Sequence, residues 1–193
     1  MSQRQDQKDK TRKALLNGAR AILTRGEALT IAGAARETGI SKASAYRYYS
    51  DPALLAAEAG LHLKIASYEE MVAGADTLRD RLVAISLSFF DLAVGNEAAF
   101  RTYLSLNLQA SVSSDATRRR GARRIKAYHR ALAESQTPIP AAQAAKIAAA
   151  LGMATGPEAM IALFDIAGLS KSEARVIISE TAHAICDRML AQG

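Results

Sequence analysis

The side chains best suited to chemistry in this sequence form one short cluster of cations, small groups and phenols: Lys42, Ala43, Ser44, Tyr46, Arg47 and Tyr48. Lys and Arg can donate hydrogen bonds to phosphates or guanine edges, Ser can bond to either, and Ala can contact a thymine methyl group. Phenol rings are normally at least half buried, so exposed tyrosines beside two cations are unusual on a merely solvated surface. The cluster therefore indicates contact with a nucleic acid.

Two short helices around a tight turn must position this cluster. Thr30 can cap the first helix, Gly39 follows it where a left-handed residue ends a helix without steric cost, and Ser41 can cap the second. The two axes can approach closely because the facing side chains are small, at Ala34, Ala35 and Ala45. With Tyr49 also turned inward, residues 30–55 are predicted to form a helix-turn-helix that binds DNA.

In these residues the sequence resembles the N-terminal domain of the TetR family of bacterial transcriptional regulators. The matching string runs through residues 34–41, continues through 43–49 and ends with Leu54 and Leu55. The resemblance implies that Tyr49 replaces a core aromatic residue, usually Phe. It also implies groove contacts from Lys42, Ala43, Ser44 and Tyr46, with Ser41 and Arg47 beside them, and phosphate contacts from Thr30 and Tyr48.

The resemblance also implies an architecture. It predicts an all-α protein whose N-terminal three-helix helix-turn-helix domain, residues 1–50, is joined to a larger helical ligand-binding and dimerisation domain, residues 51–193. Family members are usually ligand-responsive repressors that bind a pseudo-palindromic operator as homodimers, through a bundle of their last two helices, here about 141–190. One departure is Pro52, where many members have Lys; proline suits the first helical turn but removes a phosphate contact.

The net charge of +6 lies entirely in the first quarter of the chain. Residues 1–50 contain ten Lys or Arg and four Asp or Glu, whereas residues 51–193 contain fifteen of each kind. A basic domain beside a neutral one favours attraction to phosphates at one end and a different task at the other. From charge alone, a solubilising tail is an equally good interpretation.

Composition and length support a helical, cytoplasmic protein. With 193 residues and 49% hydrophobic content, the chain can bury a sizeable core, and no run alternates apolar and polar residues as a strand does. Cys186 is the only cysteine, which excludes an internal disulfide and favours a reducing compartment. The N-terminus is too polar for a signal peptide, and the uncharged runs are shorter than the ~18 residues of a membrane span.

Helical periodicity predicts the elements of the N-terminal half. A first helix is expected over about 10–25 after a mobile arm at 1–9, a single long helix over 51–73, and a helix at 77–94 that is apolar all round and hence buried. The resemblance implies that a tilt of the long helix couples the larger domain to the DNA contacts. Cations at the start of the first helix could touch phosphate: Lys10, Arg12 and Lys13.

A basic helix is predicted after a loop at 111–114. Asp115 can cap it, and its apolar side would include Tyr128 and His129. Seven basic residues lie between 118 and 130 and could bind an anion or a nucleic acid. A solvated face is the favoured interpretation, because no aromatic or glycine element interleaves with the cations on the basic side of the helix.

Two apolar helices are predicted at the end of the chain. The first is Ala-rich, runs from about 141 to 168 and is kinked at Gly156-Pro157, with small residues along one edge at Ala144, Ala148, Gly152 and Gly156. A capping box at Ser170 and Glu173 starts the second. Its apolar stripe is Val176, Ile177, Thr181, Ile185 and Met189.

The resemblance implies an unknown small-molecule effector in the larger domain. The candidate lining residues are mostly bulky and apolar: Tyr68, Met71, Phe89, Phe90, Phe100, Tyr103, His129 and Phe164. For any one of them, plain core packing is the better interpretation.

No motif for catalysis, cofactor binding or metal binding occurs in the sequence, so an enzyme, a cofactor and a metal site are not expected. His62, His129 and His183 are too far apart to match a known ligand spacing. One alternative to a DNA-binding regulator stays open, namely a helical sensor or carrier of an apolar ligand whose N-terminal domain contacts protein. Salt dependence of DNA binding would separate the two.

Overall fold

The computed structural model describes residues 3–62, 65–113 and 123–191, and all regular structure in these ranges is helical, which confirms the expected all-α fold. The elements are α1 (Gln3–Thr24), α2 (Ile31–Glu37), α3 (Lys42–Tyr48), α4 (Pro52–His62), α5 (Tyr68–Met71), α6 (Leu78–Gly95), α7 (Glu97–Ser113), α8 (Arg123–Ala133), α9 (Ala141–Ala154), α10 (Pro157–Ile161), a π-helical segment (Ala162–Ile166) and α11 (Lys171–Leu190). The chain divides into a first unit, residues 1–64 with 98–116, and a second unit, residues 65–97 with 117–193.

The first unit is built around α1. The buried face of α1 packs against α2, α3 and α4, and Tyr103 and Leu106 of α7 pack against the same core. The unit therefore extends beyond residues 1–50. Its buried core consists of Leu15, Leu16, Ala19, Ile22, Ile31, Ala34, Ala35, Ala45, Tyr49, Leu54, Leu55 and Ala59.

Gly18 allows α1 and α2 to cross closely. A Cβ atom at this position would lie 2.8 Å from the carbonyl oxygen of Ala34 and 2.7 Å from Cγ2 of Thr38, both closer than van der Waals contact. The small residues expected on α2 thus face an equally small residue on α1, a partner that the sequence did not indicate.

Three predicted boundaries are corrected. α1 begins at Gln3, so residues 3–9 are helical rather than a mobile arm. The single helix expected over 51–73 is interrupted, because α4 ends at His62 and Ser67 starts α5 with a capping box to Glu70. α7 stays helical through Ser113, where a loop was expected, and the predicted cap at Asp115 lies outside the described residues.

α6 is the central helix of the second unit, as its apolar circumference predicted. It packs against α5, α8, α10 and α11. Burial around most of its circumference explains why so few polar residues are found in its middle. Its buried residues are Leu82, Val83, Ile85, Ser86, Phe89, Phe90 and Ala93.

The small-residue edge of α9 is filled by α8 of the same unit. A Cβ atom at Gly152 would collide with Ile125, and one at Gly156 would collide with the guanidinium group of Arg124. Arg124 also donates a hydrogen bond to the carbonyl oxygen of Gly152. The predicted break is confirmed, since α9 ends at Ala154 and α10 begins at Pro157.

α11 begins at the predicted capping box of Ser170. Small and branched residues at four-residue steps form its buried face: Ala174, Ile178, Ala182 and Cys186. Val176 and Ile177, two residues of the predicted apolar stripe, are not on this face and are 54% and 40% exposed. Burial raises the pKa of the Cys186 thiol to about 11, so this thiol is inert at neutral pH.

One helical stretch in the described ranges, Ala141–Ile166, is long and apolar enough to cross a membrane by length and composition. Core helices of soluble proteins pass the same test. In this stretch Ile147, Ala148 and Leu151 belong to the core of the second unit.

The close crossing at Gly18 can be tested with a matched pair of glycines. Gly18→Ala should lower the free energy of unfolding by about 1–3 kcal/mol, because the new methyl group must push backbone apart. Gly60→Ala is the control: a Cβ atom at Gly60, in α4, would have no neighbour within 4 Å among the residues that the structure describes, so the helix should gain about 0.5–1 kcal/mol. Urea unfolding followed by circular dichroism measures both, and a neutral Gly18→Ala would contradict the crossing.

Candidate nucleic-acid interface

α2 and α3 begin at the predicted caps. Thr30 Oγ1 accepts a hydrogen bond from the backbone N–H of Gly33 at 2.9 Å. Ser41 Oγ accepts one from the N–H of Ser44 at 3.2 Å. Each cap satisfies an N–H group that the first helical turn leaves without a partner. The two short helices of the predicted helix-turn-helix therefore have defined starts.

The turn between them has the expected left-handed glycine. Gly39 has a φ angle of 68°, and the next residue, Ile40, donates its N–H to the carbonyl oxygen of Ala35 at 2.9 Å. A side chain at Gly39 would strain this conformation. The turn thus fixes the direction in which α3 leaves α2.

α3 turns its apolar side inward and its cations outward. Ala45 is fully buried, and Tyr49, the residue that closes the helix, is 1% exposed. The predicted DNA-contacting residues all lie on the other sides. Thr30, Ser41, Lys42, Ala43, Tyr46 and Arg47 are exposed, and Ser44 and Tyr48 are half-buried.

Hydrogen bonds order three side chains on the outer face of α3. Ser44 Oγ accepts one from Ser41 Oγ at 2.9 Å and one from Arg47 Nη2 at 3.2 Å. These bonds leave the other N–H groups of Arg47 and the hydroxyl hydrogen of Ser44 as further donors. This part of the surface can donate to acceptors such as phosphate oxygens or the N7 and O6 atoms of purines.

Two arginines of the first unit are already paired. Arg25 donates hydrogen bonds to Glu27 and Glu37, which raise its pKa and neutralise it locally. Arg12, one of the cations that could touch phosphate, has its guanidinium group paired with Glu58 instead. Lys42, in contrast, forms no ion pair with any residue that the structure describes.

A buried polar cluster of Arg12, Tyr49 and Glu58 lies inside the first unit. Glu58 is 6% exposed; its Oε1 accepts from Arg12 Nε at 2.9 Å, and its Oε2 accepts from Arg12 Nη2 and from the Tyr49 hydroxyl, the latter at 2.9 Å. The Arg12 guanidinium also lies 5.5 Å from the centre of the Tyr49 ring. We name these three residues the α1–α4 cluster.

The protonation states of the α1–α4 cluster follow from burial and charge. Burial alone would lower the pKa of Arg12, but the hydrogen bonds and the charge of Glu58 outweigh it and raise the pKa. Burial, and then the Glu58 charge, raise the pKa of the Tyr49 hydroxyl. The hydroxyl therefore stays protonated at neutral pH and can donate to the carboxylate.

Sequence reasoning missed Glu58. A signal was present, because Glu58 lies four residues after Leu54 and next to Ala59, on the side of α4 that is buried in the core. A carboxylate on a buried helix face needs a partner. The partner could not be identified without the fold, since Arg12 is 46 residues away.

The second unit contains a buried trio of hydroxyl groups. Ser86, Tyr128 and Thr155 are each 0% exposed. Ser86 Oγ donates to the Leu82 carbonyl at 2.8 Å, Thr155 Oγ1 donates to the Leu151 carbonyl at 2.6 Å, and the Tyr128 oxygen lies 2.8 Å from Ser86 Oγ and 2.9 Å from Thr155 Oγ1. The three hydroxyl groups carry three hydrogens but make four close contacts. With Ser86 and Thr155 donating to carbonyl oxygens, the Tyr128 hydroxyl can donate to only one of these two residues at a time.

The residues predicted to line an effector pocket are divided between the two units. Phe100 and Tyr103 belong to the first unit, and Tyr103 packs against its core. The other six are in the second unit: Tyr68, Met71 and Phe89 pack in its main core, Phe90 is fully buried, Phe164 is half-buried and His129 is exposed.

His129 is not on the packed side of α8, and its expected place there is wrong. Tyr128 and Leu132 occupy that side and are 0% and 3% exposed. Periodicity alone assigned both 128 and 129 to one face, because neighbouring positions differ by only about 100° around a helix.

The basic run at 118–130 is described from residue 123 onward. Arg124 pairs with Glu158 at 3.5 Å, and Arg130 pairs with Glu69 at 2.7 Å and with Glu134 at 2.9 Å. The Arg130 guanidinium also lies 4.0 Å from the centre of the Tyr68 ring. These partners favour a structural role for the described cations over an anion site.

No protein-family model matches the chain, and no curated protein matches it significantly. Within the described ranges, no three His, Cys, Asp or Glu side chains come together as a metal site would require. The arguments for a function therefore come from the residues and geometry of α2, α3 and the elements that support them.

The α1–α4 cluster should dominate the polar contribution to stability of the first unit. Glu58→Ala leaves the Arg12 charge and the Tyr49 hydroxyl without their acceptor inside the protein, so the free energy of unfolding should fall by about 3–5 kcal/mol. Arg25→Ala is the control, since it removes an exposed ion pair and should have a much smaller effect. Equal effects of the two substitutions in urea unfolding would contradict the assigned burial.

Proposed function

We propose that the chain is a sequence-specific, DNA-binding transcriptional regulator of the cytoplasm, a ligand-responsive repressor that acts as a homodimer on a pseudo-palindromic operator. α3 is the recognition helix, and its exposed face enters the major groove. The observation that carries the proposal is this face itself: Lys42, Tyr46 and Arg47 are exposed, while Ala45 and Tyr49 hold the opposite side in the core.

The distribution of the other cations supports this choice of surface. Arg12 and Arg25 are engaged by carboxylates of their own unit, so they contribute little attraction to a phosphate backbone. Lys10 and Lys13 of α1 are exposed and can add to it. Thr30, the cap of α2, and Tyr48, in the last turn of α3, are the proposed phosphate contacts beside the groove.

Exposed apolar side chains support self-association through the last helices. Among the described residues, four large apolar side chains between 141 and 190 remain exposed in the single chain: Met153 (77%), Ile166 (86%), Val176 (54%) and Ile177 (40%). A second copy of the chain would cover them, and a two-fold axis would place two recognition helices about one DNA turn, ~34 Å, apart.

A small-molecule effector stays a prediction from the resemblance. The second unit offers an apolar interior around α6. Such an interior suits a ligand that is mostly apolar.

Salt dependence provides the test of DNA binding. An operator is first selected from a random DNA pool, and binding is then titrated against salt. Lys42→Ala and Arg47→Ala should each reduce the slope of log K against log salt by about 0.9, the contribution of one phosphate contact, or else relax sequence preference if the side chain reads a base. Arg25→Ala, whose charge is already paired, should leave the slope unchanged.

The same titration separates the regulator from a protein-binding sensor. If the unmodified protein selects no sequence and shows no salt slope, the N-terminal unit binds something other than DNA. If Arg25→Ala changes the slope as much as Lys42→Ala does, the assigned DNA-facing surface is wrong.

Self-association can be tested at the most exposed apolar residue. Ile166→Glu should convert a dimer into a monomer, because a buried carboxylate without a partner opposes association. Leu23→Glu, at a 40% exposed position in the first unit, is the control and should remain dimeric. Light scattering coupled to size exclusion gives the mass of each variant, and a dimeric Ile166→Glu would exclude this face from the interface.

A further inference from the structure

The α1–α4 cluster contains one group that packing does not require. Tyr49 is 1% exposed, and its ring fills the core of the first unit. Phe has the same ring and would fill the same space. The added hydroxyl must be desolvated, which is unfavourable unless it finds a hydrogen-bond partner. It finds one in Glu58 Oε2 at 2.9 Å.

This hydrogen bond can set the direction of α3, because it joins the end of α3 to α4. Tyr49 is the residue that closes α3, and its own N–H bonds to the Ala45 carbonyl in the last turn of that helix. Glu58 belongs to α4, and its carboxylate is held in place by Arg12 of α1 through two further hydrogen bonds. Apolar contacts are non-directional, whereas hydrogen bonds constrain both distance and angle.

We propose that Glu58 is a positioning residue that, through the Tyr49 hydroxyl, fixes the orientation of α3 against α1 and α4. Arg12 orients the carboxylate through two hydrogen bonds, and the carboxylate holds the end of the recognition helix. Neither Glu58 nor Arg12 touches the nucleic acid. This inference rests on the proposed function, because its consequence is an affinity for DNA that depends on a side chain remote from the DNA.

The test uses Tyr49→Phe in the full-length protein. The ring remains, so the fold should be retained, as circular dichroism will show. Affinity for the selected operator should fall about three- to tenfold at fixed salt, the equivalent of one net hydrogen bond. The slope of log K against log salt should not change, because no phosphate contact is lost.

Tyr128→Phe is the matched control. It removes a hydroxyl of the same kind that is equally buried, in the second unit, where it bonds to Ser86 and Thr155. A general loss of stability would affect DNA binding in both variants, whereas a positioning role affects it in Tyr49→Phe alone. Equal losses of affinity in the two variants would overturn the proposal, as would wild-type affinity in Tyr49→Phe.

Amide hydrogen exchange provides a readout that does not need DNA. Tyr49→Phe should accelerate exchange of the amides of α3, residues 42–48, and leave those of the buried part of α1, near residues 15–19, unchanged. If the wild-type protein binds no DNA, the proposed function fails, and the exchange measurement alone decides whether Glu58 orients α3. Unchanged exchange in α3 would overturn the positioning role even if DNA binding is confirmed.

Discussion

A helix of seven residues cannot hold its own shape or direction in water. α3 is that short, and isolated helices below about 12–15 residues are marginally stable. Whatever α3 presents to a partner is therefore presented by its surroundings: the Ser41 cap, the Gly39 turn, the burial of Ala45 and the hydrogen bond of Tyr49 to Glu58. Most of the first unit can be understood as support for this one short element.

In the same unit, the paired arginines and the exposed Lys42 have different roles. Arg12 lies in α1 and Arg25 directly follows that helix, yet one is paired inside the core and the other is shared between two surface carboxylates. A charge inside the core needs a partner because desolvation is so costly, whereas an exposed cation such as Lys42 is solvated without one. Cations that stabilise the fold and cations that remain available for a ligand are thus different residues, although composition counts them alike.

In the second unit, polar side chains lie at the break between α9 and α10. α9 ends at Ala154, and the hydroxyl of the next residue, Thr155, bonds back to Leu151 and meets Tyr128. Ile125 fills the space that Gly152 leaves open, and Arg124 fills the space at Gly156. An Ala-rich helix offers few distinctive contacts of its own, so these polar groups and glycines specify how α8 and α9 fit together.

Local features of this protein follow from its amino-acid sequence alone. The caps at Thr30, Ser41 and Ser170, the left-handed Gly39 and the break before Pro157 were all predicted, because each depends on residues within about four positions. The residues that each helix meets on its inward side, in contrast, became known only from the packed chain. Arg12 proved to be half-buried against Glu58 and His129 proved exposed, since burial depends on partners far away in the chain, as Glu58 is from Arg12. Periodicity predicts that a helix has an apolar side. Which residues of other helices contact that side is decided only when the whole chain packs.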